Sequence, residues 1–250
     1  MDCNPLAPSG MYWLQAVNSI KKEFCDLKTK HCGTTGWMRV VYLNMTELGA
    51  SCPTSLQQIN TPAKLCGRRT APGCSSVTYP VDGIRYSQIC GQAIARGYQY
   101  YSTDAFQPST NDINSHYVDG VSITYGNPRR HIWTYASGLS DDDNYRNGIY
   151  NCPCAKYPGD APPAFVGCDY FCESGITGRH VDNNRLAYED PLWDGDGCGP
   201  GNSCCAQAGM PWFCRTLPQE VSEDIEVRVC ADYTHADEHV YVELVEVYIQ

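Results

Sequence analysis

Apolar residues in this chain recur mostly at period two, in short runs cut by Gly, Pro, Asn and Asp. The clearest run is residues 224–230, where Ile225, Val227 and Val229 alternate with Glu226 and Arg228. Successive strand side chains point to opposite faces, so this run predicts a half-buried strand. Residues 240–249 predict a second strand, with Val240, Val242 and Leu244 on one face. Glu243 and Glu246 stand three apart in it, and strict alternation sends them to opposite faces, so a bulge or change of face is expected. A polar stretch, residues 233–238, separates the two runs. The chain is therefore expected to end on an antiparallel hairpin central to a sheet.

Other elements are shorter. Residues 37–43 predict a buried strand, and residues 118–125 and 131–135 predict two strands joined by the turn Gly126-Asn127-Pro128. Long helical periodicity is missing. The best helical candidate is residues 86–96, where Ile89, Ala93 and Ile94 can share a face, and a short helix is expected near residues 54–60. Residues 151–215 have little periodicity but carry eight cysteines, which predicts a long disulfide-tied loop region. The expected fold is mainly β, an α+β chain with few short helices, built on an antiparallel sheet with long disulfide-tied loops.

Composition places that fold outside the cell. Sixteen cysteines stand at Cys3, Cys25, Cys32, Cys52, Cys66, Cys74, Cys90, Cys152, Cys154, Cys168, Cys172, Cys198, Cys204, Cys205, Cys214 and Cys230. An even, irregularly spaced set of this size predicts that all sixteen pair as disulfides in a secreted, extracellular protein. Met1-Asp2 opens no basic-then-apolar leader, so the chain reads as a mature or trimmed form. No run approaches the roughly 18 apolar residues of a membrane span. The sequon Asn44-Met45-Thr46 makes Asn44 a candidate glycosylation site. A net charge of −10 argues against nucleic acid and anionic membranes as partners and is compatible with cations. Charged residues are only 18% of the chain, and its 18 Tyr and 22 Gly suit loop-borne recognition of sugars or proteins.

Four elements near the N-terminus occur in the order found in fibrinogen-related domains: Cys3; Pro8-Ser9-Gly10-Met11-Tyr12-Trp13; Phe24-Cys25-Asp26-Leu27; and Thr35-Gly36-Trp37-Met38-Arg39-Val40. The first 45 or so residues resemble that family. The resemblance implies a fibrinogen-like N-terminal subdomain, residues 1–52, with Cys3 bonded to Cys25 and Cys32 as a competitor. Residues 53–250 are then a disulfide-rich β domain packed against it as one compact unit. Ser140-Asp141-Asp142-Asp143-Asn144-Tyr145, ahead of Cys152, resembles the family's calcium loop and implies Asp141 and Asp143 as ligands. The remainder, with Tyr117-Val118-Asp119-Gly120-Val121-Ser122-Ile123 and Pro191-Leu192-Trp193-Asp194-Gly195, is similar to uncharacterised secreted proteins of marine invertebrates.

The residues themselves offer the same metal. Calcium takes six to eight oxygens held by turns, and Asp141, Asp142, Asp143 and Asn144 form a dense oxygen cluster between Gly138 and Gly148. Asp190, Asp194 and Asp196 form a second, weaker one. Solvated turns use the same residues. Cys152, Cys154, Cys168 and Cys172, with His131 and His180, loosely resemble zinc spacing, but adjacent Cys204 and Cys205 suit disulfides better. His116 near Asp119 is a candidate general base, and Glu173, Glu189 and Asp194 are candidate glycosidase carboxylates. Trp193, Tyr188 and Tyr170 are candidate sugar-stacking rings, and Tyr98, Tyr100, Tyr101, Phe171, Trp212 and Phe213 either stack on ligands or fill the core. The expected function is calcium-assisted extracellular recognition or adhesion, with a glycan or a matrix protein as ligand. The alternatives are a structural building block that self-associates into fibres or matrix, and a secreted hydrolase.

Overall fold

A computed structural model describes residues 6–17, 19–60, 63–69, 73–98, 112–118, 120–138, 163–174, 212–231 and 239–250. Among these residues the chain is all β, with antiparallel sheets and no helix. One sheet runs β1 (Gly10–Gln15), β2 (Ile20–Asp26), β3 (Trp37–Asn44), β13 (His239–Ile249), β7 (Tyr86–Tyr98) and β11 (Phe213–Val221). β5 (Lys64–Gly67) shares the β3 side of β13 through the pair Val242 and Cys66, and β4 (Gln57–Asn60) lies outside it. The second sheet runs β10 (Tyr170–Ser174), β9 (Arg130–Gly138), β8 (Gly120–Tyr125), β12 (Ile225–Ala231) and β6 (Gly73–Tyr79), with β10 parallel to β9.

The two sheets pack face to face. One apolar cluster takes Met38, Val41, Ile89, Ala93, Val245 and Val247 from the first sheet and Val121, Ile123, Tyr135, Ile225, Val227 and Val229 from the second. β8, β12 and the end of β13 deliver alternate residues to this layer, as expected for a sandwich. Ile225 and Val229 are fully buried and Val227 nearly so, so the alternation at residues 225–229 is borne out.

The expected C-terminal hairpin is not formed. β12 pairs with β8 and β6, whereas β13 pairs with β3, β5 and β7, so the two strands face each other across the core. Alternation identifies a buried face but not the neighbour along the hydrogen-bonding direction. The Cys74–Cys230 disulfide binds β12 to β6 instead. The expected irregularity in the last strand is present. Val242 pairs with Ala95 and Leu244 with Ile94, leaving Glu243 as the extra residue of a bulge. Leu244 is only half-buried, and the core face passes to Val245, Val247 and Ile249.

Both predicted helices are strands. Residues 86–96 lie within β7. Ile89 and Ala93 are four apart, a spacing that satisfies helix and strand alike. Ile94 decides between them, because it is half-exposed while Ala93 and Ala95 are buried. Gly91 is required here: a Cβ would come within 2.4 Å of the Glu246 carbonyl and 2.9 Å of the Phe213 ring. At residues 54–60 a turn leads into β4, whose backbone is satisfied by β5. Seven residues cannot repay helix nucleation without tertiary support. The strands at Trp37 and around the turn Gly126-Asn127-Pro128 form as expected, with a cis bond before Pro128.

Disulfides join Cys32 to Cys214, Cys52 to Cys66 and Cys74 to Cys230, and Cys25 and Cys168 are disulfide-bonded as well. Cys32 is thus not the partner of Cys25. Cys90 departs from the expectation that all sixteen cysteines pair: it is a free, buried thiol. It lies opposite Cys214, whose sulfur is taken by Cys32, and is sealed in a cluster with Trp37 and Tyr248. Cys3, Cys152, Cys154, Cys198, Cys204 and Cys205, and the side chain of Cys172, lie outside the described residues.

Candidate functional site

At one end of the second sheet, the β8–β9 turn meets the start of β12. Ile225 and Val227 point into the core, so Glu226 between them points out. The turn at Gly126–Pro128 brings Arg129 over it. Arg129 donates from Nε to Glu226 Oε2 at 2.6 Å and from Nη2 to Oε1 at 2.9 Å, a two-pronged pair. Thr124 donates its hydroxyl to the same carboxylate at 3.0 Å. Burial opposes the charge on Glu226, but hydrogen bonds from Arg129, Ser76 and Thr124 outweigh it and hold its pKa below the ordinary range.

Beside this pair, Arg130 binds Glu223, and Asp224 accepts the Val81 amide at 2.9 Å. Arg129, Glu223, Asp224 and Glu226, with Thr78, Asn114, Asn127 and Ser222, border an open cavity of about 540 Å³. Every side chain lining it is polar: Glu223, Asp224 and Glu226 supply three carboxylates, Arg129 one guanidinium, and the rest amides and hydroxyls. Such a wall offers donors and acceptors in fixed directions, and suits a small hydroxylated or polar ligand.

A second cluster lies on the outer face of the first sheet. Asp26 receives the Ser9 hydroxyl at 3.0 Å on Oδ1 and meets His31 Nε2 at 3.0 Å on Oδ2. The order differs from that of a nucleophilic triad, where the imidazole stands between hydroxyl and acid. The Ser9 oxygen is also occupied, accepting the amides of Leu27 and Lys28 at 2.9 and 3.2 Å. The His31 ring stacks on Trp212 at 4.7 Å and on Tyr248 at 4.9 Å. This network ties the turn after β2 to the sheet. Burial pushes the neighbouring Cys90 thiol far up, with Glu246 and Asp26 adding to the shift, so it stays protonated.

A third group fills the outer face of the second sheet. Arg228 is 2% exposed and donates to the carbonyls of Ile113 and Ser115 at 2.7 and 2.8 Å. His131, a zinc candidate from the sequence, is buried and meets the Thr134 hydroxyl at 2.7 Å. Burial, then Arg215, pulls its pKa to about 3, so it is neutral. Among the described residues no three His, Cys, Asp or Glu side chains gather as a metal cluster.

Of the predicted ligand residues, Asp141, Asp143, Asn144, Tyr188, Trp193, Asp194 and Asp196 lie outside the described residues. Tyr170 is 1% exposed. It opens β10 against Thr134 and presents no ring face to a ligand, which corrects the expectation of a sugar platform there. Phe213 packs on Trp133 at 4.8 Å and Trp212 on His31, so both act in packing. Asn44 ends β3 in a tight turn, its Oδ1 accepting the Thr46 hydroxyl at 2.7 Å. Sequence reasoning missed Arg129, Glu223 and Glu226. The alternation did put Glu226 out of phase with the core, but its meeting with Arg129 depends on β12 pairing with β8.

No family model, no curated protein and no solved structure matches the chain.

Proposed function

We propose that the protein is an extracellular recognition module that binds a glycan in the cavity beside the Arg129–Glu226 pair. The observation that carries this reading is the lining of that cavity, in which every side chain carries a carboxylate, guanidinium, amide or hydroxyl and two of the carboxylates are held by arginines. Sugar hydroxyls are both donors and acceptors, and planar carboxylates and amides bind adjacent hydroxyls in pairs. The disulfides support a place outside the cell, where thiols oxidise. Calcium held by Asp141 and Asp143 would assist by coordinating hydroxyl oxygens of the ligand.

A glycan array read with wild type, Glu226→Gln and Asn127→Ala tests the reading. The wild type is expected to bind a defined set of glycans, and both variants to lose it while melting like the wild type within a few degrees. Unchanged binding by both variants would remove the cavity from the function. A second reading, a building block that self-associates into matrix, is favoured by one observation. The β1–β2 hairpin exposes Met11, Trp13, Val17 and Ile20, each at least half exposed. Electron microscopy of native material separates the two.

A further inference from the structure

We propose that Asn44 carries an N-linked glycan whose first sugar docks against the Tyr42 phenol and Glu47, so that the protein holds part of its own carbohydrate. This rests on the extracellular reading above and not on the cavity beside Arg129 and Glu226.

Asn44-Met45-Thr46 is the one Asn-x-Ser/Thr triplet of this chain without proline in the middle. Such triplets accept N-glycans. In the transfer, Asn44 Nδ2 forms a bond to C1 of an N-acetylglucosamine carried on a lipid diphosphate. The C1–O bond to the diphosphate breaks, the lipid diphosphate leaves with the electron pair, and Nδ2 gives up one of its two protons.

The fold presents that nitrogen at the surface. Val41 and Leu43 are buried, so Tyr42 and Asn44 share the outer face of β3. The strand ends at Asn44, and Thr46, Glu47 and Leu48 in the following turn are exposed. Thr46 donates its amide at 3.1 Å and its hydroxyl at 2.7 Å to Asn44 Oδ1. These two bonds fix the side-chain amide. Its Nδ2 then stands 3.2 Å from the Tyr42 hydroxyl and 3.5 Å from Glu47 Oε1. Thr46 and Glu47, with Lys64 and Glu243, also border an open cavity of about 470 Å³, which leaves room beside the attachment point.

A sugar bonded to an atom 3.2 Å from the phenol starts in contact with it. The platform is built in advance. Arg39 lies over the Tyr42 ring at 3.6 Å, and the Tyr42 hydroxyl donates to Glu47. The ring is still 36% exposed. The apolar face of a sugar ring packs on an aromatic body, and its acetamido N–H and hydroxyls donate to a carboxylate. A ring and carboxylate already held lose little freedom when the sugar arrives. The contact has a turn to stabilise: Met45 donates its amide to the Glu243 carbonyl at 2.8 Å and so fastens the end of β3 to the bulge of β13.

Peptide mapping of the native protein, before and after peptide N-glycosidase, tests the modification. Asn44 is expected to be occupied and to read as Asp after the enzyme. Thr46→Ala should abolish occupancy, and Thr46→Ser should keep it. Docking is read from the melting temperature of one and the same chain, secreted with glycan transfer allowed or blocked, the glycan being trimmed to a single sugar. That sugar is expected to raise the melting temperature by about 2 °C or more. Tyr42→Ala should remove most of the rise, and Tyr42→Phe should keep it. Nuclear Overhauser contacts between the sugar and the Tyr42 ring give a reading that needs no variant. A bare Asn44 with the disulfides formed would overturn the proposal and leave the extracellular reading standing. A bare Asn44 with reduced cysteines would overturn both. An occupied Asn44 with neither the rise nor the Overhauser contacts would overturn docking on Tyr42.

Discussion

The Nε2 atom of His31 and the Oδ2 atom of Asp26 meet at 3.0 Å, and the imidazole packs there against the rings of both Trp212 and Tyr248. Asp26 ends β2, Tyr248 lies near the end of β13, and Cys32, next to His31, is bonded to Cys214. One carboxylate therefore helps to fasten the N-terminal strands to the C-terminal strand.

Asp26 should make stability depend on pH at the acid end. Burial opposes its charge, but hydrogen bonds from Thr29, His31 and Ser9 overcome that and lower its pKa to about 2. An unfolded Asp titrates near about 3.9. The folded value is the lower one, so the stabilisation is complete above about pH 4 and is lost as pH falls toward about 2. Asp26→Asn is expected to cost about 2 kcal/mol at neutral pH and to flatten this part of the acid limb. Denaturant titrations from neutral to low pH provide the check; an unaltered acid limb in the variant would contradict the assignment.

Val227 tests the sandwich. It is 2% exposed on β12 and faces the layer shared with β13. Val227→Asp places an unpaired carboxylate there and should cost several kcal/mol, about 3 or more. Failed secretion, or a melting temperature far below wild type, is the expected result. A variant that folds and melts like wild type would mean the face is wrongly assigned.

Thiol counting tests the free cysteine. Native protein should resist alkylation at Cys90, which is fully buried and protonated. After unfolding without reductant, peptide mapping should find Cys90 labelled. An unlabelled Cys90 peptide would show that it is oxidised.

Calcium is expected at Asp141 and Asp143, with Asn144 assisting, as proposed from the sequence. A ligand that binds only the folded state raises the melting temperature with concentration. Calcium should do so for the wild type, and Asp141→Ala with Asp143→Ala should abolish the rise without altering the disulfides. A wild-type melting curve indifferent to chelator would leave these residues as a solvated turn.

Much of the strand content was legible in the chain itself. Alternation marked Ile225, Val227 and Val229 for burial, and two acids three apart announced the bulge at Glu243. Gly126-Asn127-Pro128 marked the turn that joins β8 to β9. These are local signals, set by side-chain direction and backbone sterics within a few residues. At Ile89 and Ala93 the local signal was ambiguous, because a spacing of four fits both periods, and the neighbouring strands decided.

Tertiary structure alone decided which strands meet. Residues 225–231 and 239–249 both advertise an apolar face, and that pattern is satisfied by lying side by side in one sheet or face to face across a core. Pairing with β8 and β6, with Cys230 bonded to Cys74, selected the second. The same choice brought Arg129 onto Glu226, ninety-seven residues away, and so made the polar cavity. It also sealed Cys90 under Trp37 and Tyr248 while Cys32 took Cys214. Composition could state that sulfurs and charges were present. Their partners depend on contacts between residues far apart in sequence, and period-two alternation carries no information about those.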